Sequence, residues 1–385
     1  MLALLLPSCG TAVKSASPVK AETSDRYADP VPHSRDANDV ARFLAGLPGA
    51  EGSPFLDLEK TEAWKLHRRE MDHAWDGVEK GTMPAMREFQ ARELNTPAIR
   101  QSLVFYPFSG PDALMLTVFF PSNPAYVMVG LEPPGTLPTL KQISRGDLNS
   151  KLAAVRNTVS SELHKSFFVT REMDRQFRGQ VNDGLFAPII NLLVRTGHTI
   201  LGYRYVRFGD KGQIIDRGPE VSTKANDKGV EIDYTSDADH SVHKMFYFSV
   251  NLANDHLQNN PQFQAYLSSL KNATSYFKAT SYMTHQDMFS MIRNATLAGS
   301  QAILQDDSGI PYRYFAGNWH VQLYGGYSRP YGSFRWLEQP DLRKAYATDA
   351  KPLAFRIGYG FSKAPSNLLL AMKTSAPDSG KALPQ

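Results

Sequence analysis

Residues 102–135, "SLVFYPFSGPDALMLTVFFPSNPAYVMVGLEPPG", carry the clearest pattern of alternating structure in this chain. A β-rich run, Leu103–Phe108, stops at the turn sequence SGPD, and a second apolar run continues to Phe120. The strand-like segment Ala125–Leu131 follows and ends before Glu132 and two prolines. Apolar runs of this kind, separated by turn residues, predict a strand, a helix and a strand. A hairpin is the alternative, because "ALMLTVFF" is apolar on every face, as a buried strand is.

The SGPD turn predicts the start of the helix. Ser109 and Asp112 stand three residues apart, as in a capping box, and Gly110 and Pro111 fit the first turn, where a missing amide costs nothing. We interpret Ser109 and Asp112 as helix caps and Glu132 as a strand terminus. The alternative is a ligand site at the helix N-terminus, formed by the same three residues.

This unit resembles the first βαβ of a Rossmann-like domain. In such domains an acid at the end of the second strand, here Glu132, often holds a ribose. The glycine-rich fingerprint needs three glycines for close backbone approach, and this turn has only Gly110. The resemblance implies a nucleotide-dependent transferase of degenerate type, and no cofactor is identified by the residues themselves.

The rest of the chain predicts an α/β protein with a mixed β-sheet: the βαβ-like unit, an antiparallel meander and flanking helices. Helical patterns occur around Trp64 to Val78 and at Pro84–Glu93, Leu148–Leu163, Phe186–Val194, Pro261–Leu270 and Gln286–Leu297. Strand patterns occur at Thr199–Phe208, Gly212–Asp216, Val230–Tyr234, Val242–Val250, Gln301–Gln305, Ile310–Phe315 and His320–Tyr324. His67 and His73 are six residues apart, on different helical faces, and we interpret both as solvated.

Composition narrows the class of protein. With 42% hydrophobic and 21% charged residues among 385, the chain has the balance of a folded globular protein. The net charge of +4 comes from basic residues scattered among acids, so a nucleic-acid partner is not indicated. Beyond the first six residues no apolar run approaches the ~20 residues that a membrane-spanning helix needs.

The N-terminal region predicts an anchor and a tether. Residues 11–38 are rich in Ala, Ser, Pro and charge and lack apolar periodicity. We expect a signal remnant at 1–9, a flexible linker at 10–53, an N-terminal α/β lobe at 54–198, a C-terminal β-rich lobe at 199–375 packed against the first, and a flexible tail at 376–385.

The stretch "LLLPSCG", Leu4–Gly10, contains the only cysteine of the chain, Cys9. It resembles the lipobox of bacterial lipoproteins, in which a cysteine behind an apolar segment is lipidated and becomes the mature N-terminus. The resemblance implies a membrane partner through a lipid at Cys9. Gly10, rather than Asp, after the cysteine implies outer-membrane delivery, with the protein facing the periplasm of a Gram-negative cell.

Two polar clusters are candidate sites. In "QDDSGIPYRYF", Asp306 and Asp307 are paired carboxylates beside Arg313, suited to acid–base work or ligand binding, although Asp, Ser and Gly also suit a plain hairpin turn. In "SDADHSVH", the residues Asp237, Asp239, His240 and His243 are potential metal ligands. Since the two histidines point to opposite faces of a strand, we favour a polar turn and predict no metal there.

The motifs "YPFSGPD", "FFP", "GLEP" and "QDDSGIPYR" resemble an uncharacterised family of bacterial envelope proteins with no known activity. We therefore expect a lipid-anchored envelope protein whose folded part binds a glycan, another envelope component or a small ligand. One alternative is an enzyme, a degenerate Rossmann-like transferase or a hydrolase, with a pocket near the SGPD and DDSG loops. Another is a structural assembly partner. The sequence leaves open whether the chain is an enzyme.

Overall fold

The computed structural model describes residues 31–165, 184–218, 228–237, 240–361 and 365–374. Cys9, the 1–9 segment and the 376–385 tail lie outside these residues. The described helices are Arg35–Leu44, Leu56–Glu59, Glu62–Lys80, Thr82–Phe89, Pro97–Arg100, Ala113–Phe119, Leu140–Ser144, Leu148–Lys165, Phe186–Arg195, Asn254–Gln258, Pro261–Ser269, Ser290–Gly299 and Pro340–Asp349. The strands are β1 (Val104–Pro107), β2 (Ala125–Gly130), β3 (His198–Phe208), β4 (Ile214–Asp216), β5 (Gly229–Ser236), β6 (Val242–Ser249), β7 (Ala273–Phe277), β8 (Ser300–Gln305), β9 (Trp319–Gly325) and β10 (Asn367–Lys373).

The ten strands form one mixed sheet in the order β4-β3-β5-β6-β2-β1-β7-β8-β10-β9. Its centre, from β6 to β8, is parallel, and antiparallel strands extend it on both sides. This confirms the predicted α/β class, the βαβ unit and the antiparallel β3–β6 region. The hairpin alternative for the second apolar run is wrong, since Ala113–Phe119 is a helix and β1 pairs parallel with β2.

The strand order reverses beside β1. From β1 the chain passes through the helix Ala113–Phe119 to β2 on one side, whereas from β7, on the other side of β1, it continues away to β8. Connections that leave neighbouring parallel strands in opposite directions open a crevice at the carboxyl ends of those strands. The residues that follow β1, β7 and β8 therefore meet at this edge of the sheet.

Both faces of the central strands are apolar, as in other parallel sheets. On one face Tyr106, Met128 and Tyr276 pack in a core that includes the helices Glu62–Lys80 and Phe186–Arg195. On the other face, Phe105 and Val127 alternate with them and pack against residues of Pro261–Ser269 and Ser290–Gly299, such as Phe263 and Ile292. The site-bearing loops thus stand on a sheet that is held from both sides.

Three sequence predictions are wrong in local structure. The stretch predicted as the strand Ile310–Phe315 contains a 3-10 helix, Tyr312–Phe315, so "DDSG" is not a hairpin turn. The sequence did not predict β7, β10 or the helix Pro340–Asp349. His67 is not solvated: its ring is buried and its Nε2 lies 2.8 Å from the Leu44 carbonyl.

The structure also changes the predicted organisation of the chain. Part of the expected 10–53 linker is folded, because the helix Arg35–Leu44 buries Val40 and Phe43 in a core with Trp64. Strands of the two expected lobes, 54–198 and 199–375, alternate within one sheet, with β1 and β2 lying between β6 and β7. Residue 198 therefore marks no boundary in the sheet.

Candidate functional site

A buried ion pair lies at the reversal point of the sheet. Lys278, the residue after β7, places its Nζ 2.6 Å from Oδ2 of Asp112, in the turn after β1, and both side chains are buried. The next residue, Ala279, donates its amide to Oδ2 of Asp306, the residue after β8, at 2.8 Å. The SGPD and DDSG loops therefore lie on either side of one segment and share it. We call Asp112, Lys278, Asp306 and Asp307 the crevice cluster.

Asp112 caps the helix that follows β1. Its Oδ1 accepts a hydrogen bond from the amide of Met115, and its Oδ2 accepts one from the Tyr106 hydroxyl at 3.0 Å. Ser109 is not the cap that the sequence predicts, because its Oγ donates to the carbonyls of Gly110 and Val129. The predicted capping box begins at Ser109, whereas the N-cap is Asp112, three residues later. Asp112 has a double role, as helix cap and as partner of Lys278.

Asp306 is surrounded by donors. Its Oδ1 accepts from both the amide and the hydroxyl of Ser308, and its Oδ2 accepts from Ala279. The Ser308 hydroxyl in turn accepts the amide of Thr280 at 2.8 Å. Each oxygen of Asp306 thus faces a backbone amide, which can only donate, and these hydrogen bonds favour the ionised form of the carboxyl.

Asp307 is placed to hold a proton. Its Oδ2 accepts from the Tyr282 hydroxyl at 2.8 Å, and its Oδ1 accepts from Nδ2 of Asn367 at 3.0 Å. The phenol oxygen of Tyr282 can instead accept a hydrogen bond from a neutral carboxylic acid at position 307, because a hydroxyl both donates and accepts. The hydrogen bonds around Asp306 therefore favour an ionised carboxylate, whereas those around Asp307 are compatible with a protonated one.

Burial sets the electrostatics of the two acids. Desolvation raises the pKa of both carboxyls. The charge on Asp306 adds to this effect at Asp307 and raises the pKa of Asp307 to about 7. Burial and the neighbouring Asp307 also raise the pKa of the Tyr282 hydroxyl, which stays protonated. The crevice cluster thus contains a carboxyl group whose proton is exchangeable near neutral pH.

Backbone strain concentrates in the same loops. Among the described residues, six that are not glycine have positive φ, and four of them lie here: Phe108 after β1, and Ala279, Ser281 and Tyr282 after β7. Such residues cost on the order of 1–3 kcal/mol each and cluster at ligand sites and active sites. Gly358 (φ 56°) approaches so closely that a Cβ there would stand 2.3 Å from Oδ2 of Asp306.

Aromatic residues cover the cluster. The Tyr359 hydroxyl accepts the amide of Ser281 and donates to the carbonyl of Ala279 at 3.0 Å. The ring of Tyr282 lies 6.1 Å from that of Tyr359 and 5.4 Å from that of Phe334, and Tyr331 stands edge-on to Tyr359. A continuous series of rings therefore leads from the exposed Tyr331 to the Asp307 carboxyl.

Two of the predicted site residues lie apart from the cluster. Glu132 follows β2, where its carbonyl accepts the Tyr247 hydroxyl and its buried Oε1 has no partner among the described residues. Arg313 is exposed, with its guanidinium over the ring of Tyr314. Near it, His285 is largely buried, and burial together with the charge on Arg313 lowers the pKa of its imidazole to about 4. The structure thus brings together Ser109, Asp112, Asp306 and Asp307, but not Glu132 or Arg313.

Sequence reasoning missed Lys278, Tyr282 and Asn367. Lys278 directly follows "ATSYF", whose β-branched and aromatic residues are a strand signal, and Asn367 begins the apolar run "NLLLAMK". Assigning those runs as strands would have placed both residues at strand ends, where functional side chains gather.

The side chains that could ligate a metal are dispersed. No group of three or more His, Cys, Asp or Glu side chains in the described part of the chain is arranged to bind a metal ion. Asp239 lies outside that part, while His243 bonds to Ser241 and to the Asn123 carbonyl. Within the same residues no helix combines the length and apolarity needed to cross a bilayer.

Comparison with protein-family models gives no match for this chain, and neither curated proteins nor solved structures give one.

Proposed function

We propose that the chain is a lipid-anchored bacterial cell-envelope protein whose folded part binds a small polar ligand, of the glycan class, at the crevice cluster. One observation carries the proposal: three loops that follow parallel strands bring a buried lysine and three buried carboxyls to the point where the strand order reverses. Ligands of α/β proteins bind at this point of the sheet. Groups with perturbed pKa values concentrate at functional sites for the same chemical reasons.

The surroundings suit a hydroxyl-rich ligand. Carboxylates accept hydrogen bonds from hydroxyl groups, the Lys278 ammonium and a protonated Asp307 donate them, and the rings of Tyr282 and Tyr359 offer flat apolar faces for a sugar ring. Entry of a ligand requires Tyr359 to leave its hydrogen bonds with Ser281 and Ala279. Glycine at position 358, next to Tyr359, gives this covering segment backbone freedom.

A second function, an enzyme of the hydrolase type, is favoured by the unequal acids. Asp307 would act as general acid and the ionised Asp306 would stabilise positive charge in the transition state, an arrangement that needs one protonated and one ionised carboxyl near neutral pH. A nucleotide-dependent transferase has less support. The Asp112 carboxylate occupies the N-terminus of the seven-residue helix Ala113–Phe119, where it would repel a phosphate.

A thermal-shift screen with oligosaccharides, nucleotides and divalent cations tests the proposal. A ligand that binds only the folded chain raises the free energy of unfolding, and with it the Tm. At a ligand concentration of 100 times the Kd, the added free energy is about 2.7 kcal/mol. We expect an oligosaccharide to raise the Tm of the wild type and of Asp39→Ala, and to leave the Tm of Asp307→Ala unshifted, because alanine removes the hydrogen-bonding group that an asparagine would imitate. Asp39 is a matched control because it is a buried acid on the helix Arg35–Leu44.

The proposal fails if no oligosaccharide raises the Tm, or if the Tm of Asp307→Ala rises as much as that of the wild type. A nucleotide that acts in place of the oligosaccharide would support the Rossmann-like transferase instead.

A further inference from the structure

Large exposed hydrophobic side chains concentrate at one edge of the sheet. Trp336 is 71% exposed and Tyr331 is 53% exposed, both in or beside the 3-10 helix Gly332–Leu337 that follows β9. Because β10 is antiparallel to both β8 and β9, the latter two run in the same direction, and β9 ends at the carboxyl edge of the parallel strands. The exposed Leu131, after β2, and Met288, after β7, lie at this edge too.

Exposed arginines lie on the segment of the two exposed rings and on two other segments near the same edge of the sheet. Arg329 and Arg335 belong to the same segment, Arg313 follows β8, and Arg356 precedes β10, and all four are exposed. The one acid of the 326–339 segment, Glu338, is already shared between Arg329 and Arg343. This part of the surface, which we call the aromatic–arginine rim (Arg313, Arg329, Tyr331, Arg335, Trp336 and Arg356), carries four exposed arginines against the nearby acids Glu338 and Asp341.

We propose that the aromatic–arginine rim docks the folded domain on an anionic lipid surface. Tryptophan and tyrosine prefer the boundary between lipid headgroups and acyl chains, where an apolar ring and a polar group are both satisfied. Arginine side chains lie against such a surface with the guanidinium at the headgroup phosphates. Charge complementarity favours an anionic lipid surface over a neutral glycan. A glycan can stack on the rings of Tyr331 and Trp336, but it has no charge for the four arginines to attract.

Docking in this orientation turns the crevice cluster toward the membrane. Tyr331 contacts Tyr359, and Tyr359 covers Ser281 and Ala279, so the rim and the cover of the cluster are one continuous surface. The inference goes beyond the proposed function and requires neither the ligand site nor a lipid at Cys9.

Vesicle binding by the full-length chain tests the docking. The Cys9→Ser chain, which carries no lipid, is mixed with vesicles of phosphatidylglycerol and phosphatidylcholine, or of phosphatidylcholine alone, and bound protein is measured by flotation. We expect binding to the anionic vesicles only, weakening as salt increases. Trp336→Ala should weaken the Kd on the order of tenfold. Arg329→Gln and Arg335→Gln should each weaken it roughly fivefold, the effect of losing one basic residue near an anionic surface.

Val242→Ala is the matched control. Val242 is 57% exposed but begins β6, which is parallel to β2, so it lies at the opposite edge of the sheet. Its Kd should equal that of the parent. Tryptophan emission gives a second readout. Trp64 and Trp75 are buried, and the half-buried Trp319 begins β9 at the opposite edge of the sheet, so a blue shift on adding vesicles should disappear with Trp336→Ala.

The proposal is overturned if Cys9→Ser does not bind anionic vesicles, or if Trp336→Ala and Val242→Ala bind equally well. It is also overturned if the emission of Trp336 responds to soluble oligosaccharide and not to vesicles. None of these results depends on the Tm shifts that test the ligand site.

Discussion

At the scale of single residues, the two neighbouring acids Asp306 and Asp307 differ most in what surrounds them. Each oxygen of Asp306 faces a backbone amide, so replacing either oxygen by an amide NH₂ sets two donors against each other. Asp307 faces the Tyr282 hydroxyl, which accepts as readily as it donates. An asparagine at 307 therefore resembles a neutral Asp307, whereas an asparagine at 306 does not resemble an ionised Asp306.

We expect Asp306→Asn to lower the free energy of unfolding on the order of 1–3 kcal/mol, the cost of a buried polar group left unsatisfied. Asp307→Asn should change it little at pH 5. Urea unfolding of both variants beside the wild type measures the difference. Equal losses at pH 5 would show that both acids serve as acceptors only.

The raised pKa of Asp307 also predicts the sign of a pH dependence. A carboxyl whose pKa is higher in the folded state contributes its full stability below its ordinary pKa and loses it as pH rises through the folded value. The free energy of unfolding should therefore fall between about pH 4 and pH 7, by at most about 1.4 kcal/mol per pH unit, and then level off. In Asp307→Asn this slope should be shallower, with the remainder coming from the raised pKa values of Asp306 and Asp39, and an unchanged slope would place the proton elsewhere.

Among the elements, the short helix Ala113–Phe119 depends on Asp112 rather than Ser109. Asp112→Ala removes the cap and takes a carboxylate away from the buried Lys278, and we expect a loss of about 3–5 kcal/mol. Ser109→Ala removes only hydrogen bonds to two carbonyls and should cost about 1 kcal/mol or less. The two melting temperatures compared side by side check this, and a larger loss for Ser109→Ala would restore Ser109 as the cap.

The elements that could be predicted from sequence are those whose signal is local. The run from Leu103 to Leu131 contains its own turn residues, so the βαβ unit is readable without the rest of the chain. In β7, by contrast, the strand signal is only five residues long, and the polar Thr274 and Ser275 find their hydrogen-bond partners far along the chain: Thr274 bonds to Ser102, and Ser275 to Ser300.

The candidate site was predictable only where its residues lie in recognisable turns. Asp112, Asp306 and Asp307 lie in the turn sequences SGPD and DDSG. Lys278 joins these turns only because β7 lies between β1 and β8, and no spacing along the chain indicates that strand order. The DDSG loop reads as a solvated turn for the same reason: the groups that bury it, Tyr282 and Asn367, come from strand ends that were not assigned.

For the whole molecule, we predict that a lipid at Cys9 anchors the chain to a membrane. If Cys9 is lipidated, the native chain should partition with membranes even at high salt, where the contribution of the arginines is screened. Cys9→Ser should then be released. Equal partition of the two chains in high salt would contradict the lipoprotein proposal while leaving the aromatic–arginine rim to its own test.

The central claim is that the loops after β1, β7 and β8 build one crevice with a proton held on Asp307. Titration of the side-chain carboxyl carbons by NMR, assigned with Asp306→Asn and Asp307→Asn, tests it most directly. The account predicts that the Asp307 resonance titrates near pH 7 and that the midpoint moves toward its ordinary value when Asp306 is made neutral. Two independent titrations near pH 4, unchanged by either substitution, would mean two solvated acids at a loop tip and would contradict the account.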